Sequence, residues 1–374
     1  MVNQPRDEPV IAEGEGDREP DDTIGLALSG GGYRAMLFHA GSLIRLFELG
    51  VLQRTARISS VSGGSITAAK LALEWPKLSD RAALIAYVIE PIREMARTSI
   101  DVSSVLIGTF VTGNVGHRIS AAYAHHLFGD KTLQDLPDAP VFVINATNVE
   151  TGSLFRFSKK RARDWRVGEI AQPRFRLADA VTASSAFPPV LSPFILETRP
   201  SDFTTREEGV DPAFFSDISL TDGGVYDNLG LETIYKRCRT VLCSNGGGTL
   251  PWDASPPADW LHHTRRVIDI IHGQVSSVRT RQLIDAYKLD ERKGAYWGIG
   301  SDIANFPASR LLRAPIAQTR QLANMPTRLT RVDERLQEQI INWGYAVCDA
   351  AVRSTDLVQT TTSSPQFPYP ASAV

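Results

Sequence analysis

Ser29-Gly30-Gly31-Gly32-Tyr33-Arg34 and, further on, Ser60-Val61-Ser62-Gly63-Gly64-Ser65 are the stretches whose reading decides the fold. Each follows a run that reads as a strand, Ile24-Gly25-Leu26-Ala27-Leu28 before the first and Arg57-Ile58-Ser59-Ser60-Val61 before the second. Each also opens a helix. Met36, Leu37, Ala40, Leu43, Ile44 and Phe47 recur at spacings of three and four between Tyr33 and Leu49, and Gly50 is a C-terminal stop. The second helix begins after Ser62 and runs through Ala68, Ala69, Leu71, Ala72 and Leu73 toward Trp75, with Pro76 beyond. A hydroxyl on a tight strand-to-helix turn is exposed and faces the positive end of a helix. A glycine loop beside it offers bare amide groups to a developing oxyanion. Together the two stretches point to a serine acyl hydrolase.

Working outward, strand and helix patterns alternate, the mark of an α/β domain with a mostly parallel sheet. Val141–Ala146 reads as a buried strand with Ser153–Phe157 as its hairpin partner, and Thr240–Ser244 as another short strand. Residues 197–213 read as a polar surface excursion, and residues 259–290 and 328–353 as helices. In the last of these, Leu329, Val332, Leu336, Ile340, Ile341 and Tyr345 form a stripe. With no internal repeat and no linker, residues 23–353 are expected to form one domain. A disordered acidic leader (1–22) precedes it and a flexible Thr/Ser/Pro-rich tail (354–374) follows.

The 374 residues carry a net charge of -2, of which the leader holds -6 and the rest +4. A mildly basic body suits an anionic lipid surface and is too weak a signal for nucleic acid. No apolar run approaches the ~20 residues of a membrane span, and no basic-then-apolar start marks a secretory signal. Cys238, Cys243 and Cys348 are odd in number and lack metal-type spacing. They read as small buried apolar residues in a protein of the reducing cytoplasm.

Other chemistries fit the glycine loop less well. Gly30-x-Gly32-x-x-Ala35 matches a loose dinucleotide fingerprint, but the second strand ends in Ser60-Val61-Ser62, without the acid that would hold ribose hydroxyls. No lysine follows the glycines as a phosphate-binding loop requires. A conventional triad needs a histidine, and none of His39, His117, His125, His126, His262, His263 and His272 lies in a catalytic motif, although the order Ser62, Asp222, His262 mimics one. The cluster Lys159-Lys160-Arg161-Ala162-Arg163-Asp164-Trp165-Arg166 reads either as a solvated loop or as a membrane-interface patch.

The third element is Thr221-Asp222-Gly223-Gly224-Val225-Tyr226-Asp227-Asn228-Leu229-Gly230, an acid flanked by glycines far down the chain. With the glycine loop and the serine turn in that order, the chain closely resembles the patatin-like phospholipase family. Ala183-Ser184-Ser185-Ala186-Phe187-Pro188-Pro189 is a fourth landmark, and the stretch from Met325 to Tyr345 looks like the closing segment of bacterial members. The resemblance spans roughly residues 23 to 352. It implies a three-layer α/β/α sandwich around the mostly parallel sheet. Ser62 matches the nucleophile, Asp222 the dyad aspartate, and Gly30, Gly31, Gly32 and Arg34 the oxyanion-hole segment. Two small-for-small departures are Ala35, where many members have glycine, and Ser60 in place of the first glycine of the serine turn.

The expected activity is hydrolysis of fatty acyl esters, of phospholipase A type, without metal or organic cofactor. The expected partners are a lipid substrate and a transiently touched membrane surface, and not nucleic acid. A solvated aspartate with a pKa of ~3.9 is a poor base at neutral pH, so the site must shield it. Arg34 adds charge near the oxyanion, or pairs with an acid or a lipid phosphate. Two other functions stay open: an esterase or thioesterase acting on soluble substrates, and a non-catalytic nucleotide- or lipid-binding module.

Overall fold

Short apolar runs of strand length form the spine of the molecule, described here from a computed structural model that covers residues 19–100, 114–189, 191–250, 252–358 and 364–374. The strands are β1 (Asp21–Leu28), β2 (Thr55–Val61), β3 (Val141–Asn148), β4 (Ser153–Phe157), β5 (Arg161–Asp164), β6 (Gly168–Ala171), β7 (Phe194–Leu196), β8 (Thr205–Arg206), β9 (Ile218–Asp222), β10 (Cys238–Asn245) and β11 (Lys293–Gly298). They join one sheet in the order β11-β10-β1-β2-β3-β4-β5-β6-β8, with β9 paired to both β3 and β7. The half from β11 to β3 is parallel. From β3 to β8 the pairing is antiparallel.

The helices that matter for the site are α1 (Gly32–Glu48), α2 (Gly63–Glu74), α3 (Leu177–Ser184), α4 (Trp260–Lys288) and α5 (Glu334–Arg353). Alternate residues of a strand face opposite sides of a sheet, and both sides are covered here. Leu26 and Leu28 of β1 join the large core that contains α1, α2 and α5. Ala27, with Val241 and Cys243 of β10, packs on Leu231, Ile234 and Leu283 on the other face. The three-layer α/β/α architecture follows from this two-sided burial.

Helix α1 is buried from Gly32 to Leu46, so it needs an apolar neighbour at very short range. Two glycines allow it. A Cβ at Gly41 would lie 1.9 Å from the Ile341 oxygen of α5, and one at Gly344 would lie 2.0 Å from the Phe38 oxygen of α1. The buried charges in this contact are paired, since Arg45 donates through Nε to Asp349 at 2.8 Å and through Nη1 to Glu48 at 2.8 Å.

Several boundaries differ from the sequence reading. β1 begins at Asp21, inside the expected leader, where the Asp21 amide bonds the Arg237 oxygen. Residues 1–18 of that leader lie outside the described residues. Helix α5 starts at Glu334, because Asp333 caps it through the Arg335 amide. Leu329 and Val332 are therefore buried from an extended segment. The tail was expected to be loose, yet residues 364–374 dock on the body. The Asn342 amide group donates to the Tyr369 and Ser372 oxygens, and Arg93 stacks 4.5 Å above the Tyr369 ring.

Candidate active site

Two strands share one edge of β3. β2 pairs with it as far as Val61 opposite Asn145. The next residue of β3, Ala146, is opposite Asp222, the last residue of β9. β3 thus passes its edge from β2 to β9 at one step, and Ser62, directly after Val61, meets Asp222. Ser62 itself turns sharply, with φ 51° and ψ -120°, a strained conformation for a residue with a Cβ.

Helix α3 braces both partners. The Ser62 amide donates to Ser184 Oγ at 2.9 Å, and that hydroxyl donates to the Asn145 oxygen at 2.6 Å. The Gly223 amide donates to the Ser184 oxygen at 3.3 Å and the Asp222 amide to the Ala186 oxygen at 3.0 Å. The segment Ala183–Ala186, a bare motif in the sequence, therefore ties together two side chains distant in the chain.

Asp222 is 2% exposed. Burial pushes its pKa up to about 7, while hydrogen bonds from the Gly224 amide and the Ser62 hydroxyl hold it down. The Gly224 amide lies 2.7 Å from Oδ1. The glycines after the acid are needed for this approach. A Cβ at Gly223 would lie 2.3 Å from the Asn145 oxygen, and one at Gly224 would lie 2.9 Å from Asp222 Oδ1. That same point beside Gly224 is 3.3 Å from Nε2 of His272 on α4. His272 packs its ring 6.2 Å from that of Phe187 and turns its buried Nε2 toward the Gly224 backbone. Burial lowers its pKa, against the upward pull of the Asp269 charge and the Gly224 backbone. The sequence offered no signal for it, because its helix lies far from the other motifs.

The glycine loop departs from expectation in two places. The Gly30 amide is already used, donating to the Asn228 oxygen at 3.0 Å, so it is no donor for an oxyanion. Asn228 also places Oδ1 2.4 Å from where a Gly30 Cβ would sit. It stood in the Asp222–Gly230 stretch without an assigned role. Arg34 is buried, and its guanidinium donates to the oxygens of Gly246 at 3.1 Å and Met325, and to Thr327 Oγ1 at 2.8 Å. Burial lowers its pKa to about 10. These contacts staple the loop to two neighbouring segments and leave the guanidinium committed to neutral oxygens.

The amides that remain open are those of Gly31, Gly32 and Gly63, none with a hydrogen-bond acceptor among the described residues. Gly31 (φ 142°) and Gly32 (φ 60°) adopt backbone angles that favour glycine. Gly32 begins α1 and Gly63 begins α2, and neither helix has a side-chain cap. A Cβ at Gly63 would sit 3.0 Å from the Gly32 nitrogen. Two uncapped helix N-termini therefore meet beside Ser62, and their dipoles favour negative charge there.

Other candidates fall away from this centre. His262 is exposed and bonds Asp259 at 2.8 Å within the first turn of its own helix. His39 is enclosed between Ser244 Oγ and the Ser29 oxygen, and burial lowers its pKa to about 4. The basic cluster is split by a hairpin. Lys159 pairs with Asp138 and Arg161 with Glu169, each at 3.2 Å. Arg166 stacks over the half-buried Trp165 at 5.1 Å and donates to the Thr151 oxygen. Cys238, Cys243 and Cys348 are free and buried.

A family model described as Patatin-like phospholipase matches residues 26–235. The structure of human GIVD cytosolic phospholipase A2 superposes with a TM-score of 0.52 at 14% identity, over 89% of this chain and 58% of that one. The same enzyme in complex with methyl gamma-linolenyl fluorophosphonate gives a TM-score of 0.52 at 16% identity, over 89% and 57%. At these identities the likeness is one of fold, and this chain spans under two thirds of that protein's length. No curated relative matches the sequence.

Proposed function

Because the chain belongs to the patatin-like phospholipase family, we propose that it is a lipid acyl hydrolase cleaving fatty acyl esters with Ser62 and Asp222. The observation that carries this reading is the register step at β3, which sets a buried, weakly acidic carboxyl against a strained serine. A hydroxyl is a poor nucleophile without a base in reach. A carboxylate that titrates near neutrality is a far better base than a solvated one.

In the proposed reaction Asp222 takes the Ser62 proton while Oγ attacks the ester carbonyl carbon. The carbonyl electrons move to oxygen, and that charge develops against the open amides of Gly31, Gly32 and Gly63. Each such donor contributes on the order of 10²–10³ in rate. When the tetrahedral species collapses, the C–O bond to the alcohol breaks and Asp222 returns its proton to the departing oxygen. Water then attacks the acyl-serine, gives a proton to Asp222, and releases the fatty acid as that proton goes back to Ser62. Arg34 acts at a distance by holding the loop.

The test is hydrolysis of a defined lipid mixture followed by mass spectrometry. Wild-type protein is expected to release free fatty acid, and Ser62→Ala protein with an unchanged circular dichroism spectrum is expected to release none. Labelling of a serine other than Ser62 by a fluorophosphonate probe overturns the assignment. Equal turnover by wild type and Ser62→Ala does the same.

A further inference from the structure

Helix α4 is too long for the layer it belongs to. Its 29 residues span about 43 Å at ~1.5 Å each, against about 26 Å for the eight residues of β10. The C-terminal part is anchored. Leu283 and Ala286 are buried, Tyr287 donates to the Val241 oxygen at 2.7 Å, and Arg279 pairs with Glu232 at 3.2 Å. His272 is where the helix passes Gly224 and Phe187, level with the dyad. The residues before it, Trp260–Ile271, continue past the catalytic edge for about 18 Å.

That overhang carries apolar side chains in water. No residue of 252–260 or of 262–271 is buried. Trp252 is fully exposed, Trp260 is 81% exposed and Ile271 58%. Trp260, Val267, Ile271 and Val278 follow one another at spacings of seven, four and seven, so they line one edge of the helix. All four are exposed, and Ile268 and Ile270 widen the strip. A contiguous exposed apolar strip marks an interaction surface. Arg265 and Asp269 each stand two residues from Val267 or Ile271, on the far side of the helix, so the strip itself carries no Asp, Glu, Lys or Arg. An electrically neutral, zwitterionic headgroup layer suits an uncharged strip.

We propose that the α4 overhang is the surface by which this protein docks on a zwitterionic phospholipid bilayer, with Trp260, Ile268 and Ile271 entering the headgroup–acyl boundary. The proposal rests on the lipid-hydrolase reading above, and it names the partner of that same site. The helix lies on the bilayer, as amphipathic interfacial helices do, with tryptophan at the polar boundary. The dyad then faces lipid at the point where His272 meets the body. Of the two readings left open for Lys159–Arg166, a solvated loop or a membrane-interface patch, the membrane-interface role passes to α4.

The experiment keeps docking separate from chemistry. Ser62→Ala protein is floated with phosphatidylcholine vesicles, and in parallel with vesicles containing phosphatidylglycerol, at low and high salt. The expected result is co-flotation with phosphatidylcholine that salt does not abolish, with a blue shift of tryptophan emission that Trp260→Phe reduces. Ile268→Ser/Ile271→Ser, placed in the Ser62→Ala and active backgrounds, is expected to lower vesicle partitioning and vesicle hydrolysis at least tenfold. Hydrolysis of a soluble short-chain ester by the active double variant is expected to stay within twofold. Three results overturn the proposal: no flotation with phosphatidylcholine, flotation that needs phosphatidylglycerol and vanishes in salt, or equal flotation of the double variant. A concentration-dependent dimer that the double variant abolishes, seen by ultracentrifugation, assigns the strip to self-association and also overturns it. Loss of soluble-ester hydrolysis in wild-type protein sinks the hydrolase reading and leaves the flotation result standing.

Discussion

Replacing Asp222 by Asn should trade activity for stability, and pH sets the size of the trade. The carboxyl has an ordinary pKa of 3.8 and titrates at about 7 in the folded chain, chiefly because it is buried. Between those values the folded state holds a proton that the unfolded state has lost. Stability therefore falls as pH rises through this window, and the cost is complete above about pH 7. At ~1.4 kcal/mol per pH unit, the cost of keeping the carboxylate charged reaches about 4 kcal/mol, an upper bound. An amide keeps the oxygen that accepts from Gly224 and carries no charge. Asp222→Asn should therefore melt well above wild type at pH 8 and close to it at pH 4. In wild type, kcat/KM on a soluble p-nitrophenyl ester should drop about tenfold per pH unit below about 7 and level off above it. The assays are thermal melts and initial rates across pH 4–9. A rate limb centred near pH 4, or an Asp222→Asn protein less stable than wild type at pH 8, refutes the claim that burial tunes this acid.

Three further outcomes follow from the same geometry. Gly30→Ala puts a methyl group 2.4 Å from Asn228 Oδ1 and 3.1 Å from Ser62 Cβ, and should cut kcat by about 10²-fold through a small displacement of the nucleophile. Gly273→Ala, which meets nothing within 4 Å, is its control and should leave kcat unchanged. Ser62→Gly relieves the positive φ of 51° and should be about 1 kcal/mol more stable than Ser62→Ala in denaturant melts. Gly41→Ala forces α1 and α5 apart and should destabilise the fold by about 3 kcal/mol or more, seen as a lower midpoint at unchanged slope.

What the sequence made legible was local. The strand–glycine–helix junctions at Gly30 and Ser62 follow from composition and period alone, and the structure starts helices at Gly32 and Gly63. Acid and serine were paired through a resemblance of motifs, because no local rule tells a strand ending at Asp222 which edge it will join. The fates of the Gly30 amide and of Arg34 were hidden for a similar reason. Their partners, Asn228, Gly246, Met325 and Thr327, come from segments that only tertiary packing brings near. His272 and the docked tail at Tyr369 were illegible because each is set by what it packs against. The exposed strip on α4 was missed because its apolar residues look like core until the length of the helix is compared with that of the strands.

The step at β3, where one neighbour ends and another takes over, has a bearing on how the protein acquires its activity. The proposed nucleophile and base are neighbours only once the segment ending at Asp222 has been laid beside a strand formed much earlier in the chain. Non-local pairings of this kind form slowly. Reactivity toward a covalent serine probe therefore reports the docking of β9 beside β2 on β3, and a chain that has regained its helices without that pairing should stay chemically silent.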